Sequence, residues 1–171
     1  MSKALSSWSG MRKYLEHEML APSLISRVRY NCTSYAGMDL DHLFELYIDG
    51  ALIKRFSYET VNTYFIENGF KSNSDPFGKR QYWDEFFTLL EGVPITKRTE
   101  YTDEEFCSAL EHYRNSSIEQ SLSSENPIER MFAILDRRVG KRRLAEIKKS
   151  ADALPKWLSE IAETRFEAEN I

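Results

Sequence analysis

The residue types best suited to chemistry gather at Asp39, Asp41 and His42, with Glu45 close behind. Carboxylate oxygens and an imidazole on one turn can hold a divalent cation or pass a proton. Their spacing matches neither a calcium loop nor a zinc motif, and polar side chains are what any exposed turn uses. No metal is therefore expected at Asp39, Asp41 and His42. His17 and His112 stand alone in helical patterns. Cys107 follows Asp103, Glu104 and Glu105, whose charges raise a thiol's pKa and disfavour the thiolate that nucleophilic catalysis needs. Cys32 alternates with Val28 and Tyr30 on an apolar face, so its expected role is packing. The chain has no glycine-rich phosphate loop, no G-x-S-x-G and no H-E-x-x-H. A protein without catalytic residues or a cofactor is the resulting expectation.

The other concentration of chemistry is charge. The stretch DRRVGKRRLAEIKK, residues 136–149, packs seven Lys/Arg against two Asp/Glu, a local +5 in a chain of net charge −4. If Gly140 breaks the helix, Arg137 and Arg138 close one helix, where the dipole favours positive charge. Lys141, Arg142 and Arg143 then open the next, where it does not, and that placement needs carboxylates nearby or an external anion. Glu160, Glu163, Glu167 and Glu169 in the last helix are the internal candidates, through exposed pairs worth about 0–1 kcal/mol each. An acidic protein surface is one external partner, with arginine as its anchor. Nucleic acid is the alternative, bound through phosphates over residues 137–149, although no RNP or zinc-finger pattern accompanies the stretch. A second surface is the strand face of Arg27, Arg29, Asn31 and Thr33. With Tyr47 and Arg55 it could offer a basic, aromatic platform to single-stranded nucleic acid, though such faces are more often covered by a helix or wetted.

These residues must be positioned by recognisable elements. WSGMRKYLEHEML has capping serines at Ser7 and Ser9 and places Met11, Tyr14, Leu15 and Met19 on one helical face, which Pro22 ends. RVRYNCT and LFELYI alternate like half-buried strands, and Asp49-Gly50 predicts a tight hairpin into a third strand, ALIKRFS. A helix capped by Ser57 carries Val61, Tyr64 and Phe65 and stops at Asn68-Gly69. FKSNSDPFG is the connection expected to be most mobile. KRQYWDEFFTLLEG follows as a helix whose aromatics predict deep burial, and residues 93–101 as a linker or short strand. Thr102 with Glu105 makes a capping box ahead of a Phe106, Ala109, Leu110, Tyr113 stripe, and residues 117–122 allow one short turn. Asn126, Pro127 and Glu129 start a helix with a core face of Ile128, Met131, Phe132, Leu135 and Val139, and a last helix begins at Pro155.

At 171 residues, with 42% hydrophobic and 13% aromatic side chains, the chain can fill one core without disulfides or metal. One domain is expected over 1–171: a helix plus antiparallel sheet in 1–57 and a helical part in 58–171. The fold class is thus α+β, with an N-terminal helix, a three-stranded antiparallel meander and a mostly helical C-terminal half. Two cysteines without C-x-x-C spacing and no long apolar run point to a cytoplasmic protein with free thiols and no membrane partner, and leave the oligomeric state open.

Trp8-Ser9, APSLISRVRY, the IDG hairpin, NPIERMFAILDRRVGKRRL and the closing RFEAENI together resemble a family of small uncharacterised bacterial proteins with a C-terminal DRRVGKRRL pattern. The resemblance spans the chain from Trp8 to Ile171 and implies a bacterial, soluble, single-unit protein. It supplies no catalytic set. The expected function is a bacterial interaction or accessory protein docking through Arg137, Arg138, Lys141, Arg142 and Arg143, with Arg27 and Arg29 as secondary candidates. Its size and lack of motifs are also those of toxin-immunity and phage-defence subunits.

Overall fold

The Ser7 hydroxyl accepts the Gly10 N–H and starts helix α1 (Trp8–Lys13), which widens into a π-helical turn over Tyr14–Glu18. This computed structural model describes residues 7–34, 42–72 and 80–171. Met11, Leu15 and Met19 form the buried face, and Pro22–Leu24 is a single 3-10 turn that ends the helical run. Strands β1 (Val28–Ser34), β2 (His42–Ile48) and β3 (Ala51–Phe56) make the antiparallel meander in the order β1-β2-β3. Asp49 and Gly50, with φ of 51° and 82°, both adopt the left-handed conformation that a two-residue hairpin needs. Val28, Tyr30, Phe44, Leu46, Ile48 and Phe56 turn to the core. Lys54 shares that buried environment: its ammonium pairs with Glu100 at 2.7 Å and lies over the rings of Tyr101 and Trp157.

Helix α2 (Tyr58–Glu67) is capped by Ser57, which accepts the Thr60 N–H, and Gly69 at φ 96° lets the chain turn away after it. Helix α3 (Arg80–Gly92) is less buried than its aromatics predict. Only Tyr82 and Phe86 are enclosed and Phe87 is 43% exposed, because Val61, Phe65 and Phe86 form a small cluster apart from the main core. The connection FKSNSDPFG falls largely on residues 73–79, outside the described residues. Between α3 and the next helix, Ile95–Lys97 forms one 3-10 turn, and Tyr101 pairs with Phe56 in a single parallel bridge.

Helix α4 (Asp103–Asn115) begins with the expected capping box of Thr102 and Glu105 and buries Phe106, Ala109, Leu110 and Tyr113. Phe106 stacks on Phe44 at 4.7 Å and meets Phe132, which joins the sheet to the helical half. A second capping box, of Ser117 and Gln120, starts the short α5 (Ile118–Leu122). Helix α6 (Pro127–Leu135) departs from its expected single stripe. Residues 131–135 are all buried, because α4, α5 and α8 (Lys156–Glu169) surround it. It also ends at Leu135, leaving Val139 buried in the following connection. No capping box closes its start: Asn126 accepts the Ile128 N–H, while Glu129 pairs with His112 at 2.9 Å. Gly140 then precedes α7 (Lys141–Lys148).

Candidate docking surface

The basic stretch begins at an elbow built on Asp136, which caps the C-terminus of α6 and is 1% exposed. Its carboxylate accepts the Arg138 N–H at 2.6 Å, the Arg138 guanidinium at 2.7 Å and the Tyr113 hydroxyl. Burial, then donation to Asp136, holds the Tyr113 hydroxyl far above the ordinary phenol pKa. The backbone on either side is fixed as well: the Ala21 N–H donates to Leu135 at 2.9 Å, and the Arg137 N–H donates to Met19 at 2.8 Å. Arg138 is thus part of the joint between the N-terminal segment, α4 and α6.

Internal neutralisation is real, but the carboxylates are not those of the last helix. Arg138 is paired by Asp136, and Arg143 by Glu119 at 2.7 Å. Of the four α8 glutamates expected to face the stretch, Glu169 instead holds the buried Arg165 at 2.6 Å, and Glu160, Glu163 and Glu167 are exposed. Arg165 in turn donates to the Val139 carbonyl at 3.1 Å and to Ser23 at 2.8 Å, so α8 fastens the elbow by an arginine. Lys148 reaches the Ile171 carbonyl oxygen at 2.8 Å and lies over Phe166.

Four cations remain. Arg137, Lys141, Arg142 and Lys149 are exposed and make no ion pair or side-chain hydrogen bond among the described residues. The first turn of α7 has no acidic residue, and Gly140 supplies no side-chain cap. Lys141 and Arg142 therefore stand where the helix dipole opposes positive charge.

The sheet surface is different. Arg27 grips Asp49 through two nitrogens, at 2.6 and 3.0 Å, and Arg29 pairs with Glu16 at 3.1 Å. Asn31, Glu45 and Arg55 lie opposite one another across the three strands. Burial would raise the pKa of Glu45, but hydrogen bonds from Tyr47, Asn31 and Arg55 outweigh it and bring the carboxyl below its ordinary value. Arg27, Arg29 and Arg55 on this face are each paired with a carboxylate, Arg29 sharing Glu16 with Arg12.

Asp39 and Asp41 lie outside the described residues. His42 is exposed at the start of β2, its N–H donating to Asp103 at 3.2 Å and its ring edge-on to Phe44. Among the described residues no three His, Cys, Asp or Glu side chains group as metal ligands, and no helix is long and apolar enough to cross a membrane. Both cysteines are free. Burial, followed by the charge of Asp103, pushes the Cys107 thiol up to about 11, opposite to the shift a nucleophile requires.

Residues 7–166, which include the sheet, the elbow and α7, match the SF0329 protein family. The chain belongs to that family. The SF0329 match covers nearly all the segments that carry the sequence pattern and stops within the closing RFEAENI. No curated protein and no solved structure matches the chain. In this SF0329 member two features escape the sequence. Asp136 reads there as a stray acid in a basic run, and Arg130 as an ordinary polar position, although it lines a cleft beside α7. The one signal for Arg130 is its place inside the apolar string PIERMFAIL.

Proposed function

We propose that this SF0329 family member is a non-catalytic bacterial interaction protein, an accessory subunit that docks an acidic protein surface through Arg137, Lys141 and Arg142. The observation that carries this reading is the division of the basic stretch. Arg138 and Arg143 are neutralised within the fold, whereas Arg137, Lys141 and Arg142 are exposed and unpaired among the described residues around an uncapped helix start. Exposed arginines favour bidentate contacts with carboxylates. The net charge of −4 argues against the alternative, nucleic acid, because the remainder of the chain repels a polyanion.

The test compares tagged wild-type protein with an Arg137→Glu/Arg142→Glu variant in low-salt purifications, with and without nuclease. A protein that co-elutes with the wild type, resists nuclease and is lost from the variant supports the docking reading. A partner retained by the variant refutes it. Co-eluting material that nuclease removes, bound with an affinity that falls steeply with salt, transfers the surface to nucleic acid.

A further inference from the structure

A cleft of about 330 Å³ lies between α5, α6 and α7, the last of which also carries the exposed Lys141 and Arg142. Leu122, Ile134 and Ile147 give it apolar walls, and Arg130 and Arg143 line it with two guanidinium groups. Arg130 is half-buried, and among the described residues its side chain has no ion pair, hydrogen bond or ring contact. It is an exception in this fold. The other buried or half-buried arginines are engaged: Arg98 by Glu105, Arg165 by Glu169, Arg27 by Asp49, Arg143 by Glu119, and Arg114 over the Tyr14 ring. Burial pulls the Arg130 pKa below the ordinary arginine value, and no anion offsets it. Arginines are seldom taken from water without a partner, because desolvating the charge is costly.

The second guanidinium can be shared. Arg143 meets Glu119 through one contact at 2.7 Å, and the Glu119 side chain is 61% exposed, so water already competes for the pair. Two carboxylates, Glu119 and Glu146, also line the cleft and limit how much negative charge it can accept. A phosphate dianion would be repelled by both. A single carboxylate on an aliphatic stem fits better, with its oxygens toward Arg130 and its methylenes against the apolar walls.

We propose that this cleft is a socket for one glutamate side chain of the acidic protein partner, with Arg130 as its anchor. The inference rests on the docking reading and extends it by naming the group that is recognised.

The test uses acetyl-tetraglutamate amide as the probe, with the tetraglutamine peptide as control. Binding is followed through the Arg130 and Arg143 Nε–H signals in nitrogen-15-edited spectra of the full chain. Wild type is expected to bind the glutamate peptide, with both signals shifting. Arg130→Met should weaken binding by about ten-fold or more, the loss expected for one charge-assisted contact. Arg130→Lys keeps charge and stem but not the fork; it should bind between the two, and it serves as the second variant if Arg130→Met does not fold. If Arg130→Met binds like wild type while Arg137→Ser/Arg142→Ser loses the peptide, the socket is overturned and the docking surface stands. If Arg130→Met loses the peptide while the double serine variant keeps it, the socket stands and the proposed surface falls. No binding by wild type, or equal binding of the glutamine peptide, overturns the socket.

Discussion

Asn in place of Asp136 keeps the shape of the elbow but removes its charge. In the native chain the carboxylate, 1% exposed, receives the Tyr113 hydroxyl, the Arg138 N–H and the Arg138 guanidinium. Breaking a buried ion pair costs about 3–5 kcal/mol when the surviving charge is trapped. Arg138 is not trapped: its side chain is 52% exposed and can turn to water, so its guanidinium contact deserves a heavy discount. What remains is the weakening of two enclosed bonds to a charged acceptor, from Tyr113 and from the Arg138 N–H, together about 2–3 kcal/mol. For a chain of this length that corresponds to a melting temperature lower by about 5–10 °C. Tyr113→Phe removes one of the two bonds and should cost about half as much. The double variant should cost less than the sum, because both changes remove the same hydroxyl–carboxylate contact. Arg137→Ala, one residue away but facing solvent, should stay within about 0.5 kcal/mol of wild type. Urea denaturation of the four variants measures all of this. If Asp136→Asn unfolds at the wild-type midpoint, or if Arg137→Ala costs as much, the separation of structural from exposed cations is wrong.

Gly50→Ala should cost about 1 kcal/mol although an added Cβ would meet nothing within 4 Å, because the whole penalty lies in the backbone at φ 82°. Equilibrium unfolding checks it, and no loss would mean the hairpin adopts another turn. The Cys107 thiol, moved from an ordinary 9.0 to about 11, should be alkylated by iodoacetamide at pH 8 about ten-fold more slowly in the folded than in the unfolded chain, the smaller thiolate fraction being partly offset by a more nucleophilic thiolate. Equal rates by peptide mapping would contradict its burial beside Asp103. Glu45 has a lowered folded pKa, so its contribution to stability is complete above the unfolded value of 4.5 and is lost as pH falls through the folded one. Glu45→Gln should therefore lower the urea midpoint at neutral pH, and the gap to wild type should narrow as the pH falls below 4.5; a constant gap would refute the linkage.

Local chemistry is legible in this sequence wherever one residue determines one backbone event. Ser7, Ser57 and Thr102 cap the helices they precede, and Asp49-Gly50 turns the hairpin it predicts. The α+β order follows from the switch of periodicity after Phe56. Burial is less legible, because it depends on what arrives from elsewhere. The aromatic α3 faces only the small α2 cluster and leaves Phe87 exposed, whereas α6 is enclosed by three helices and buries even Ala133 and Ile134. Charge pairing is least legible. Arg143 and Glu119 stand 24 residues apart, as do no two residues that periodicity links, and Glu129 leaves its expected cap to meet His112. The basic stretch announces itself, but which of its cations are internal is settled by Asp136, Glu119 and a tyrosine on another helix.

The two edges of the small sheet have a consequence for assembly. At β1 the carboxylate of Glu16 receives the outward Tyr30 N–H at 2.7 Å, and at β3 the Ser57 N–H donates to Tyr101 at 3.0 Å, just past the parallel bridge to Phe56. Each margin of the meander is therefore occupied at one point by a group from its own chain. A strand offered by a second copy would have to displace a buried charge at one border or a core tyrosine at the other to pair along the full length of either edge. Such contacts from the protein's own chain hinder edge-to-edge growth through the strands.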